Sequence, residues 1–278
     1  MDVKTQSLRD TPPAAQTARM GESWGGFVWF IIKLLLAVLA FRVFVFSPFS
    51  IPTESMLPRL MTADYLLAAK WPYGISRHSL PFDLPLPDGR LFARTPERGD
   101  IVIFKHPVDG QDYIKRVIGL PGDRVAVVNG EVLLNGEALR REALPALEVP
   151  MSPNTLCGSA DVVRTAEGAE ACRYTAFRET LPGGPSYTVL DLGTVPGADT
   201  FAEVTVPPGR LFVMGDNRDS SLDSRFEAAA GFGVGLVPED LLVGRATIIV
   251  WSTDGSADWG NPLSWFSAAR WNRIGNLL

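Results

Sequence analysis

Ser55 stands in SPFSIPTESMLPRL (residues 47–60), flanked by Pro52 and Pro58. Proline fixes its own φ and pushes the preceding residue away from helix, so a stiff, non-helical serine loop is expected. A serine hydroxyl becomes an effective nucleophile only when a neighbouring base takes its proton. The chain has only two histidines, His78 in an irregular Pro-rich stretch and His106 before Pro107 at a strand end, and neither placement favours a Ser-His-Asp arrangement. The S-x-x-K spacing is excluded, because position 58 is proline. Lys115 in YIKRVI is the better candidate. A period of two puts Tyr113, Lys115 and Val117 on one strand face, so Lys115 sits between apolar neighbours. Burial there would lower its pKa from about 10.4 and leave a neutral amine able to accept the serine proton. A lysine on a strand is more often a solvated or snorkelling side chain, so Lys115 gains weight only in combination. The third polar group is GDNRDSSLDSR (215–225), which directly follows the apolar strand RLFVM. A solvated turn would read the same way, but a loop held by a sheet is also a common place for function.

Several elements must bring these groups together. Residues 1–22 are polar and rich in small side chains, and read as a disordered cytoplasmic tail. Residues 23–46 are apolar, interrupted by Lys33 and Arg42, which can snorkel toward opposite ends. Roughly 20 helical residues cross a bilayer, so this stretch is expected to be a single transmembrane anchor. No small-x-small cleavage site follows it, which disfavours a cleaved signal peptide. Lys4, Arg9 and Arg19 precede the span and Arg59 stands nearly alone after it, placing the N-terminus in the cytoplasm and the bulk of the chain outside. About nine residues separate Phe46 from Ser55, so the serine lies within roughly 30 Å of the span's end. In an oxidising extracytoplasmic space, Cys157 and Cys172 are expected to pair.

Beyond the anchor the chain reads as all-β: an extracytoplasmic antiparallel catalytic domain with an inserted β subdomain, on one N-terminal transmembrane helix. The first part of the catalytic core covers 47–136, with strands in ADYLLAAK, GDIVIFK and DYIKRVIG and hairpin signals at Asn129-Gly130 and Asn135-Gly136. Residues 137–203 form the inserted subdomain, 204–251 the second part of the core, and 252–278 an aromatic and basic tail, either interfacial or packed on the sheet. The tryptophans lie only toward the two ends (24, 29, 71 and 251, 259, 265, 271), which fits a bilayer interface or an ordinary core. A net charge of −5 and no basic stripe argue against nucleic acid as partner. No H-E-x-x-H or paired C-x-x-C pattern is present, so no metal or other cofactor is expected.

Taken in order behind an apolar span, PFSIPTESMLP, RGDIVIF, DYIKRVIGLPGD and GDNRDSSLDSR resemble the bacterial type I signal peptidases, membrane-anchored Ser–Lys proteases. The resemblance implies cleavage of signal peptides from exported preproteins at the outer face of the cytoplasmic membrane, with membrane lipids as the other partner. It implies Ser55 as nucleophile, Lys115 as general base, the Ser55 N–H and Thr53 hydroxyl as oxyanion donors, and Ser221 as the residue that orients the lysine. Asp223 and Arg225 would brace Ser221. Ile51, Pro52, Tyr113, Ile114 and Met214 would lie near pockets that accept small side chains at −1 and −3. Two departures stand out: Glu54, where relatives often have glycine, and EAAAGFGVG (227–235), an insertion after the last motif. A narrower processing peptidase of the same chemistry and a non-catalytic β scaffold are the competing readings.

Overall fold

The computed structural model describes residues 24–79, 89–158, 160–166, 168–195, 197–258 and 260–278. The tail at 1–22, part of the Pro-rich stretch and Trp259 lie outside the described residues. The chain divides into two units, Met1–Leu39 and Ala40–Leu278, each described by itself.

Helix α1 (Trp24–Phe44) carries Leu, Ile, Phe and Ala on all sides. Trp24, Phe27, Trp29, Leu35 and Leu36 are exposed, with no surface among the described residues of the first unit on which to bury them. Its length and composition suffice to cross a membrane.

The second unit is built on antiparallel sheets. One orders seven strands as β1-β2-β15-β3-β4-β13-β14. These are β1 (Phe46–Ser50), β2 (Asp64–Ala69), β3 (Ile101–Lys105), β4 (Asp112–Gly119), β13 (Arg210–Met214), β14 (Val237–Pro238) and β15 (Leu242–Ser252). β3 is a continuous apolar run and β4 is buried from Ile114 to Gly119, because both sheet faces are covered there. Ile51, Ile101, Ile103 and Ile114 form the core on one face, and Val102, Phe104, Val117 and Val213 that on the other. A second sheet orders β12 (Thr200–Thr205), β5 (Arg124–Val128), β6 (Glu131–Leu134) and β7 (Glu137–Ala138). Asn129 and Asn135 have φ of 52° and 57°, each followed by a glycine at positive φ, the geometry of tight hairpin turns.

The third sheet joins β8 (Arg140–Pro150), β10 (Glu170–Thr180) and β11 (Ser186–Asp191), with β9 (Asp161–Arg164) on β10. β8 shows no clean alternation because its register slips opposite Tyr174/Ala176, where Leu147 and Leu144 pair across an extra residue. Pro145 lies in that bulge, and a proline with no N–H to donate is accommodated there. The disulfide Cys157–Cys172 closes a 15-residue separation and sits in a core with Tyr174, Leu190 and Leu57, the last from the serine loop.

The C-terminal tail packs along β15. Ile249 N–H donates to Asn276 and Leu278 N–H to Thr247, while Arg273 pairs with the buried Asp64. The tail's short helix α2 (Pro262–Ala268) and the residues after it leave Leu263, Phe266 and Trp271 exposed. Trp24, Trp29, Trp71, Trp265 and Trp271 are all exposed, which sets aside an ordinary core location for them.

Replacing both cysteines by serine should lower the unfolding free energy by about 3 kcal/mol, the loop-closure term for a crosslink of this span. Urea denaturation of the purified protein with and without reductant measures it. An unchanged midpoint would count against the contribution of the crosslink.

Candidate active site

The serine loop leaves β1 and returns into β2, fixed by Ile51 N–H donating to Asp64 and Ala63 N–H to Ile51. Its apolar residues divide between cores: Met56 and Leu60 enter the core of the seven-stranded sheet, and Leu57 the disulfide core. Ser55 is thereby held at the edge of β4 with 6% of its surface exposed. Lys115 projects from β4, 4% exposed, and its Nζ donates to Ser55 Oγ at 2.8 Å. The two are 60 residues apart in sequence. Thr53 Oγ1 lies 3.4 Å from Ser55 Oγ. Burial pushes the Lys115 amine down from 10.5 to about 8, against the opposing pull of Asp223 and Asp216.

The polar loop 215–225 supplies the support. Asp223 is fully buried and accepts from Gly215 N–H (3.0 Å) and from Arg225 Nε (2.9 Å) and Nη2 (3.0 Å). Burial alone would raise this carboxyl; the Arg225 guanidinium and the Gly215 N–H outweigh it and hold it below the usual range. Arg225 also donates to the Ala198 carbonyl at 2.9 Å. Ser221 is buried beside them, and its hydroxyl adds to the hold on the Asp223 carboxylate. A Cβ at Gly215 would lie 2.3 Å from Ser221 Oγ and 2.4 Å from the Ser55 carbonyl, so this close approach requires glycine.

Asn217 is the contributor that sequence reasoning did not single out. Its N–H donates to the Ser55 carbonyl at 3.1 Å and its Nδ2 to the Glu54 carbonyl at 3.2 Å, clamping the peptide on both sides of the serine. The loop is stitched to the inserted sheet: Leu190 N–H donates to the Asp216 carbonyl, and Arg218 forms a buried pair with Glu179 of β10. Asp216 binds Arg116 bidentately at 2.7 and 2.6 Å, and Arg116 lies 4.3 Å from the Tyr187 ring centroid. Glu54 faces the disulfide loop and accepts the Leu156 N–H; burial raises its carboxyl despite that bond.

One cavity opens at the Ser55–Lys115 contact and a smaller one adjoins it. The first, of about 320 Å³, is lined by Thr53, Ser55, Tyr113, Lys115, Leu222 and Gly231. The other, about 30 Å³, lies among Phe49, Ile51, Pro52, Ile103 and Ile114. Met214 is not brought to either lining. It is 1% exposed and packs with Phe212 and Ile118 in the core shared with the second sheet. Its place at the end of β13 signalled proximity, but its side chain takes the core-facing direction.

An apolar N-terminal helix, antiparallel sheets and a buried serine–lysine contact define a class of membrane-anchor-bearing hydrolytic protein, and comparison with known proteins gives the family. The family described as "Signal peptidase, peptidase S26" matches residues 24–251. The chain belongs to that family. Signal peptidase I of Rickettsia massiliae is 34% identical over 272 residues, 91% of each chain, and that of Rickettsia canadensis 31% identical over 293 residues, 99% of this chain and 96% of its own. The crystal structure of a signal peptidase I from Enterococcus faecalis is 29% identical and covers 55% of this chain and 97% of its own, at a TM-score of 0.28.

Burial of Lys115 makes a stability prediction. Its folded pKa is lowered, so between about 8 and 10.5 the unfolded chain holds a proton that the folded chain has released, and stability rises with pH across that window. Below about 8 both states are protonated and the folded state bears the full desolvation cost. Lys115→Met should therefore stabilise the fold at pH 7 by on the order of 2 kcal/mol. Denaturation of the two proteins at pH 7 and pH 10 checks it; a variant less stable at pH 7 contradicts the lysine's desolvation.

Proposed function

We propose that this chain is a serine endopeptidase that removes N-terminal signal peptides from exported preproteins, with Ser55 as nucleophile and Lys115 as general base. The observation that carries the reading is the 2.8 Å contact between the Lys115 amine and the Ser55 hydroxyl, with both groups shielded from water. Family membership supports the substrate class.

A substrate strand has a place to add. β3 pairs with β4 across Asp112–Arg116, but β13 pairs only from Arg116 onward. The Asp112–Lys115 edge therefore carries no ladder partner on the β13 side among the described residues. An extended peptide adding there would place its carbonyl beside Ser55. Side chains on the Ile114 face enter the 30 Å³ apolar pocket, which suits small residues at −1 and −3.

The neutral Lys115 amine takes the Ser55 proton as Oγ attacks the scissile carbonyl. The oxyanion is received by the Thr53 hydroxyl and by the Ser55 N–H, for which no described residue supplies an acceptor. The resulting ammonium gives its proton to the leaving amine, producing an acyl-enzyme on Ser55. Lys115 then takes a proton from water, the hydroxide attacks the ester, and Ser55 is regenerated. Asp223 and Asp216 favour the transient ammonium. The buried Ser221 hydroxyl, held against Gly215 and the Asp223–Arg225 pair, is the group that orients the amine. The anchor sits among membrane lipids with the N-terminus in the cytoplasm, and the peptidase unit works on the outer side, the periplasm. A narrower substrate range would show as failure to cleave unrelated preproteins.

Ser55→Ala and Lys115→Met should each reduce cleavage of a purified preprotein in detergent by about 10³-fold or more, with the wild-type product's new N-terminus marking the cut. Because the neutral amine is the active form, kcat/KM should rise about tenfold per pH unit below about 8 and level off above it. An ascending limb centred near 6.5, the usual histidine value, would refute the lysine base.

A further inference from the structure

The insertion at 227–235 is built into the cleft. Gly231 lines the same cavity as Ser55 and Lys115, opposite Gln111 of the β3–β4 hairpin. Both walls hang on one carboxylate: Asp109 Oδ1 accepts the Gln111 N–H at 3.0 Å and Oδ2 the Gly231 N–H at 2.9 Å. Behind it, His106 is 1% exposed, with Nε2 3.1 Å from the Gly233 carbonyl and Nδ1 3.2 Å from Asp109 Oδ1. The loop also closes on itself. Ala229 N–H donates to Gly233, Gly235 N–H to Phe226, and the Phe226 and Phe232 rings meet edge to face at 5.7 Å. A Cβ on Gly233 would lie 2.4 Å from that of Phe226, so the turn has little room to slide.

This wall stands on a particular face. Along β4, Tyr113 and Lys115 point one way and Ile114 the other. Tyr113 and Ile114 border both cavities, but the small one extends to Ile51 and Ile103, which share the core of Ile114, whereas only the larger reaches Lys115, Leu222 and Gly231. An extended substrate alternates its side chains across those two faces. With −1 and −3 on the Ile114 side, −2 and +1 point toward Tyr113, Leu222 and Gly231.

We infer that the 227–235 loop, clamped by Asp109 and His106, is a specificity wall that limits the side chains accepted at −2 and +1 of the substrate. Asp109 and His106 are positioning residues: they act through the loop and touch neither the nucleophile nor the base. The inference rests on the peptidase reading above and adds to it which substrate positions are read by a part of the chain outside the dyad and its supports.

The test uses the full chain in detergent and peptides with alanine at −1 and −3, scanned with small, branched and aromatic residues at −2 and +1, plus a second set scanned at −1 and −3. Two variants are compared with wild type: Asp109→Ala, and replacement of residues 229–232 by an Asn-Gly turn. Thermal unfolding reports whether each is folded, and the second change leaves the clamp residues in place if the first destabilises the hairpin. The expected result is that wild type discriminates against bulky residues at −2 and +1, and that the kcat/KM ratio of small over bulky falls at least about tenfold in the variants, within the range steric pockets supply. The −1 and −3 preferences stay as in wild type. Unchanged ratios at −2 and +1 in a folded variant, or equal loss of selectivity at −1 and −3, would overturn the wall. If wild type cleaves none of the peptides or preproteins, the peptidase reading itself fails and the inference falls with it.

Discussion

Lys115 is a buried amine without a carboxylate of its own, and the rest of the site is arranged around that constraint. Three acidic side chains are buried nearby, and each is taken by an arginine: Asp223 by Arg225, Asp216 by Arg116, Glu179 by Arg218. Removing one arginine would leave a bare buried charge, which is far more destabilising than losing an exposed pair. With the acids neutralised in this way, desolvation is the largest influence on the lysine, and its amine sheds its proton near pH 8. A single unpaired carboxylate at the same depth would have held the proton firmly on the amine.

The same ion pairs are mechanical ties. Glu179–Arg218 and the Leu190–Asp216 hydrogen bond join the polar loop to the inserted sheet, and Leu57 and Glu54 join the serine loop to it through the disulfide core and Leu156. The sheet of β8, β10 and β11 is therefore a buttress on both the serine loop and the polar loop. Asn217 closes the frame by bonding the peptide groups at Glu54 and Ser55 directly.

Much of this was legible in the sequence where local chemistry dictates geometry. Asn-Gly at 129 and 135 gives tight turns because those residues accept positive φ. The period of two in YIKRVI placed Lys115 on the Tyr113 face. The polar loop announced itself by charge density, but the task of Asn217 did not, since an asparagine clamp and a solvated turn have the same local sequence. β8 was hidden for another reason: a bulge at Pro145 breaks the alternation on which strand reading depends. The direction of Met214 was set by packing against Phe212 and Ile118, a tertiary choice with no local signature. The segment 227–235 was visible as a departure, but its contact with Asp109 joins positions 122 residues apart.

Gly215 offers a last consequence. Its missing side chain lets the polar loop lie against the Ser55 carbonyl and Ser221, so Ser55 meets its supports only when segments near 55, 115, 190 and 220 have all converged. A nascent chain that has made Ser55 and Lys115 but not yet 215–225 holds both reacting groups without the frame that aligns them. The Ser55–Lys115 arrangement therefore waits on the polar loop, and a chain cut short before it carries both side chains without their frame.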